Sequence, residues 1–130
     1  MFVARFDPKK RIVWLEVRLF GPLGYRDCRF ILDTGTTVTV VDPGVVDGLG
    51  YSARMATARS RLVGIDGVQE GYRLEVAKLE ALGFSVDHHE VFCHDFDDRL
   101  GVEGLIGMDL LDGRVVTLDG IEGRIIVDSV

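Results

Sequence analysis

Glycine cuts this chain into short apolar runs, a pattern that leaves room for little but a many-stranded β fold. Sixteen glycines stand against three prolines among 130 residues. The runs between them are rich in Val, Ile, Leu and Thr, side chains that suit a pleated sheet. Residues 12–20 alternate: Val13, Leu15, Val17 and Leu19 share one face, Glu16 and Arg18 the other, which is the period of a half-buried strand. Gly21-Pro22-Leu23-Gly24 turns the chain, and residues 25–32 return as the second arm of a hairpin. Val38 to Val41 predicts another short strand, ending at Asp42-Pro43, a helix N-cap with proline at the first helical position. Gly48 and Gly50 keep that helix short. Residues 59–65 and 68–76 flank Asp66-Gly67, a strong two-residue hairpin signal. Residues 83–92 alternate again, Leu105-Ile106 is a brief apolar run, Met108 to Leu111 fits one helical turn, and residues 115–118 and 124–127 are final strands. The expectation is one mostly-β domain over 1–130, a small barrel or sandwich with one or two short helices.

Composition narrows the function classes. A chain of 130 residues is one domain's worth, with no room for a nucleotide-binding domain beside a substrate domain. An apolar share of 47% without low-complexity tracts excludes a mostly disordered chain. Fifteen Lys and Arg against 21 Asp and Glu give a net charge of −6 with no basic run, which argues against nucleic acid as a partner. The longest charge-free stretch, Thr34 to Val41, falls far short of the roughly 20 apolar residues a bilayer requires. Residues 1–11 carry no apolar core of a secretion signal. No membrane segment and a cytoplasmic location are therefore expected. Cys28 and Cys93 read as two small buried hydrophobes in a reducing compartment.

The chemistry concentrates in Phe30-Ile31-Leu32-Asp33-Thr34-Gly35-Thr36-Thr37, where an apolar strand runs into an acid, a hydroxyl and a glycine. A carboxylate at the end of a buried strand loses water, which disfavours its charge unless partners hold it. Gly35 lets backbone amides approach that carboxylate closely, and the hydroxyls of Thr34 and Thr36 can hydrogen-bond around it. Asp-Thr-Gly is also the composition of an ordinary turn.

This segment resembles the catalytic loop of the retropepsin-like aspartic proteases, single-domain enzymes that include retroviral proteases and cellular relatives. Gly104-Leu105-Ile106-Gly107-Met108-Asp109-Leu110-Leu111 resembles the family's second signature, about seventy residues downstream as the family requires. The hairpin around Gly64, Ile65, Asp66 and Gly67, within residues 59–76, sits where the family carries its flap. The likeness spans residues 12–127. It implies a small closed barrel of the acid-protease type and a peptide or protein substrate. It also implies a homodimer, because one Asp-Thr-Gly supplies one of the two aspartates the reaction needs. Asp33 of each subunit would then hold a water between them, braced by Thr34, with Thr36 donating to the outer carboxylate oxygens. Neither metal nor organic cofactor is implied, since water is the nucleophile. Ile65, Val68 and Ile106 are candidate pocket residues, and Leu105, Ile106 and Gly107 form the second signature. Met108-Asp109 stands where retroviral members commonly carry Arg and looks more like bacterial and cellular relatives; Asp109 reads as a helix-start carboxylate.

Other signals weigh less. His88-His89-Glu90-Val91-Phe92-Cys93-His94, running into Asp95 and Asp97-Asp98, places His89 and Cys93 on one strand face and invites a metal site. Zinc ligands are usually spaced more tightly, so a polar strand entering an acidic, solvated loop is the better reading. Trp14, Phe20 and Tyr25 on the first hairpin are expected to be core or interface aromatics. The main rival to an enzyme is a non-catalytic, dimeric peptide-binding module on the same fold.

Overall fold

A computed structural model describes residues 1–64, 67–96 and 101–129. The strands are β1 (Phe2–Arg5), β2 (Trp14–Gly21), β3 (Gly24–Leu32), β4 (Val40–Val41), β5 (Ala58–Gly64), β6 (Gly67–Ala81), β7 (Phe84–Cys93), β8 (Gly104–Ile106), β9 (Arg114–Asp119) and β10 (Arg124–Ser129). Helix α1 covers Pro43–Gly48, and single 3-10 turns cover Ala53–Met55 and Met108–Leu110. Strands run in the order β2-β3-β8-β4-β7-β6, and β6 pairs back to β2, closing the sheet into a small barrel. Closure removes sheet edges that would otherwise be open to other chains. β5 attaches only to β6, so the β5–β6 hairpin extends beyond the barrel.

The alternation of β2 is realised in full. Leu15, Val17 and Leu19 are buried, while Glu16 is exposed. They meet Cys28 and Phe30 of β3, Leu74, Val76 and Leu79 of β6, and Val91 and Cys93 of β7 in one core. Phe30 is fully buried, and a Cβ on Gly104 across the β3–β8 ladder would lie 2.4 Å from its ring. Glycine at that position gives the aromatic ring its space. Asp42 caps α1 as its sequence suggests, its side chain accepting from the Gly44 N–H at 2.8 Å.

Three features depart from the sequence expectations. Residues 2–5 form a strand, β1, which pairs with β10 and through it with β9. This terminal sheet places Ile125 and Val127 in the core, with Phe2 and Ala4 packed against them. Of the core and interface roles expected for Trp14, Phe20 and Tyr25, the core one fails: Trp14 and Phe20 are half-buried and Tyr25 is exposed, with the Arg29 guanidinium 4.4 Å from the Trp14 ring and that of Arg18 4.3 Å from Tyr25. The polar strand expected at β7 has a buried end, with Val91, Cys93 and His94 all inside, while Asp95 of the acidic loop that follows is exposed. Asp97 and Asp98 lie outside the described residues.

Truncating Phe30 to Ala should empty the centre of the barrel and cost about 3–5 kcal/mol of unfolding free energy, a large part of the roughly 5–15 kcal/mol such a domain holds. Urea denaturation reads the change; a loss under about 1 kcal/mol would mean Phe30 is not central to the packing.

Candidate active site

Past the buried end of β3 the chain becomes progressively exposed. Asp33 is half-buried, and Thr34 and Gly35 are exposed. The Asp33 N–H donates to the Ile106 carbonyl at 2.9 Å, carrying the parallel β3–β8 ladder one residue beyond its last strand pair. The Gly35 N–H donates to Asp33 Oδ1 at 2.9 Å, and the Thr36 N–H to the Asp33 carbonyl at 3.3 Å. The carboxylate is thus held from its own turn through Oδ1, while Oδ2 has no hydrogen-bond partner among the described residues. A Cβ on Gly35 would come within 3.1 Å of that bonded oxygen.

Residues 107–109 fasten the other side of the loop. The Met108 N–H donates to the Thr36 carbonyl at 2.9 Å, and the Gly107 N–H to Thr39 Oγ1 at 3.3 Å. Gly107 is close against the loop backbone: a Cβ there would sit 2.3 Å from the Val38 carbonyl oxygen. The Thr36 hydroxyl is not available to the carboxylate, contrary to the sequence expectation. It donates to the Val38 carbonyl at 3.0 Å and accepts from the Val38 N–H at 3.3 Å. A short hydroxyl side chain two residues from a backbone donor and acceptor readily satisfies itself locally.

A cleft of about 680 Å³ separates this loop from the β5–β6 hairpin. It brings together Asp33, Gly35 and Thr36 from the loop, Leu105 from β8, and Gly67 with Val68 from the hairpin. Ile106 does not contribute as a pocket residue, because it is fully buried in the core; strand alternation turns Leu105 to the cleft instead. Thr34 lies on the exposed shoulder of the loop, Gly64 pairs with Gly67 at the hairpin's end, and Ile65 and Asp66 lie outside the described residues. The cleft also takes Thr37 and Val63, and Val38, Val40, Leu62 and Gln69, which lie outside the motifs. Their signal was present in the alternating strands that follow the Asp-Thr-Gly loop and lead into the hairpin. Among the described lining residues Asp33 is the one ionisable group, so any charge chemistry these residues supply rests on it.

Asp109 has more partners than a helix-start carboxylate needs. It opens the 3-10 turn, but Oδ2 accepts from the Thr39 N–H at 3.1 Å and Oδ1 from the Thr39 hydroxyl at 2.8 Å. His89 Nε2 of β7 lies 2.9 Å from Oδ2. Asp109, Thr39 and Gly107 therefore join the catalytic-type loop, the second signature and β7 in one polar cluster. Burial alone would push the Asp109 carboxyl up, yet the bonds from His89 and Thr39 outweigh it and hold it below the ordinary carboxylate range. His89 Nε2 is thereby engaged by Asp109.

Replacing Asp109 by Ala should lower stability by about 1–3 kcal/mol, since it leaves half-buried donors of Thr39 and His89 without their acceptor; Asp109→Asn should cost less. A depressed carboxyl pKa contributes stability above its ordinary value of 3.8 and loses it as the pH falls through the folded value. The wild-type advantage over Asp109→Ala in chemical denaturation should therefore be constant near neutrality and shrink only in strong acid. An advantage that already shrinks near neutrality would contradict this.

The comparisons agree with this geometry. Residues 15–110 match the sequence model of the family described as aspartyl protease. The fold is similar to that of a retropepsin-like aspartic protease from Rickettsia conorii, with a TM-score of 0.71 and 12% sequence identity, covering 98% of this chain and 89% of that one. No curated protein sequence matches the chain. The family match reaches from the first core residue of β2 to the 3-10 turn that carries Asp109, taking in both signatures. The chain belongs to the aspartyl protease family, with a retropepsin-like fold.

Proposed function

We propose that the protein is an aspartic endopeptidase that works as a homodimer, with Asp33 of each subunit forming a catalytic pair. The observation that carries the reading is the setting of Asp33: a carboxylate anchored through one oxygen by its own turn, lining a cleft that contains no second acid among its described lining residues. A twofold axis beside the exposed Thr34-Gly35 shoulder would bring in the missing carboxylate and cover that surface. Exposed Met108, tied to the same loop through its N–H, widens the patch.

Two carboxylates in one site share a proton, because both cannot ionise at close range. The ionised member takes a proton from a water held between them, and that water attacks the scissile carbonyl carbon. The protonated member donates to the carbonyl oxygen as it becomes tetrahedral. Transfer of a proton to the amide nitrogen then lets the C–N bond break, releasing an amine and a carboxylic acid. The pH profile belongs to the pair rather than to either residue. The β5–β6 hairpin serves as the flap, supplying backbone hydrogen bonds to an extended peptide and keeping bulk water from the pair. Gly64 and Gly67, paired with each other, stand at its far end. The two buried free cysteines suit a reducing, cytoplasmic setting.

A mixture of peptides of varied sequence, incubated from about pH 3 to 7 and read by mass spectrometry, tests the assignment. Wild type should cleave, and Asp33→Asn should lose cleavage to background while keeping its fold and its sedimentation as a dimer. Folded dimers of wild type and Asp33→Asn that bind peptide equally well and cleave none would instead indicate a peptide-binding module.

A further inference from the structure

The root of the β5–β6 hairpin contains a polar pair that the proposed chemistry leaves unused. Ser60 of β5 and His94, one residue past β7, are 5% and 1% exposed, and Ser60 Oγ lies 2.9 Å from His94 Nε2. The backbone around the pair is built to admit the imidazole. Gly71 stands opposite Ser60 in the β5–β6 register, and a Cβ on Gly71 would come within 2.8 Å of His94 Nδ1. The His94 N–H donates to the Val41 carbonyl at 3.2 Å, fixing the residue to β4. Next to it, Gln69 of β6 donates from Nε2 to the Asp95 carbonyl at 2.7 Å. Both strands of the hairpin are therefore tied by side chains to the short segment 93–95.

His94 Nδ1 is buried and has no hydrogen-bond partner among the described residues. That decides the tautomer. A bare lone pair at Nδ1 costs less than a buried N–H without an acceptor, so the hydrogen belongs on Nε2, donating to Ser60 Oγ.

We propose that Ser60 and His94 form a proton-sensitive latch for the hairpin: the neutral imidazole holds the hairpin root closed, and protonation, which places a second N–H on Nδ1 where nothing accepts it, releases the root. The inference rests on the proposed function only in treating this hairpin as a lid over Asp33. Burial pushes the His94 imidazole below its ordinary range, and the charge of Asp95 opposes this. The other titratable groups around the pair are the Cys93 thiol, which burial pushes up to about 12, and the Tyr72 phenol of β6, also raised by burial; both stay protonated. Asp47 of α1 and Asp42 act on Cys93. Well above pH 6.5 the open and closed forms hold the same neutral imidazole and the latch is unaffected. As the pH falls through that value, the open form binds a proton that the closed form resists, so opening is favoured in acid. An enzyme whose carboxylate pair works in acid would thus gain access to its cleft under the conditions in which it is active.

Nitrogen-15 NMR of the imidazoles tests this directly in a chain with three histidines, with His94→Gln assigning the signal. His94 should be the Nε2–H tautomer and titrate below 6.5. Amide exchange of residues 58–63 and 68–73, compared with residues 15–19 and 28–32 in the same sample, should lose about tenfold or more of its relative protection between roughly pH 7.5 and 5. In His94→Gln, whose amide can still meet Ser60 but does not titrate, the relative protection should stay level with pH. An Nδ1–H tautomer, titration at or above the ordinary value, a level profile in wild type, or an unchanged acid loss in His94→Gln would each overturn the proposal. If His94→Gln does not fold, the wild-type tautomer and exchange profile decide. No arm reads cleavage, so a protein that proves inactive would leave the test intact.

Discussion

The three residues of β8 are the constraint on which the rest of the site depends. Gly104, Leu105 and Ile106 lie between β3, which runs parallel to them, and β4, which runs antiparallel. The loop joining β3 to β4 must therefore pass around the end of β8, and it is bound there at Asp33, Thr36 and Thr39. Asp33 donates to the carbonyl of Ile106, Thr36 accepts from Met108, and Thr39 is held by both Gly107 and Asp109. A loop fixed at so many backbone points loses little freedom when a substrate binds, and a carboxylate placed on it needs little reorganisation. The two glycines of the second signature make the close approach possible, one beneath Phe30 and one against Val38.

The rigid part of the cleft is its floor, and the part that can respond is its roof. β5 is held by one neighbouring strand, whereas the barrel strands are paired on both sides. Cooperative opening should begin where backbone pairing and burial are least, at the exposed residues toward the end of this hairpin. Among the described residues, side chains fasten it to the barrel through Ser60 of β5 with His94 and Gln69 of β6 with the Asp95 carbonyl. Floor and roof meet through β4: Thr39 before it belongs to the Asp109 cluster, and the carbonyl of Val41 within it holds His94.

Much of this was legible in the residues because the signals were local. Alternation in β2 revealed the face that carries Leu15, Val17 and Leu19, Asp42-Pro43 marked α1, and Asp66-Gly67 announced the β5–β6 hairpin, although Gly67 is itself a strand residue paired with Gly64 rather than part of the turn. The two signatures, read together, led to the barrel and to the family. What escaped depends on partners distant in sequence. β1 is four residues long and is a strand because β10, at the far end of the chain, pairs with it. The continuation of β6 to Ala81 is hidden in the sequence because the buried positions shift phase, from Leu74 and Val76 to Leu79 and Ala81, where Ala77 drops out of the β6–β7 register. The acidic residues after His94 suggested solvent, but the space cleared by Gly71 takes its ring inward. Thr36 was assigned to the wrong oxygen because the nearer backbone of Val38 competed for its hydroxyl. Asp109 read as a cap because its partners, Thr39 and His89, come from elements that only the fold brings near.

The central claim is that one active site is shared between two chains, and mixing subunits tests it most directly. Wild type and Asp33→Asn would be combined in varying ratio at constant total protein, allowed to exchange, and assayed on a peptide that wild type cleaves. If both Asp33 carboxylates are required, only wild-type pairs are active and cleavage falls as the square of the wild-type fraction, to about a quarter at equal amounts. A linear fall, to about half at equal amounts with exchange confirmed, would mean that each chain carries a complete site and would contradict the account.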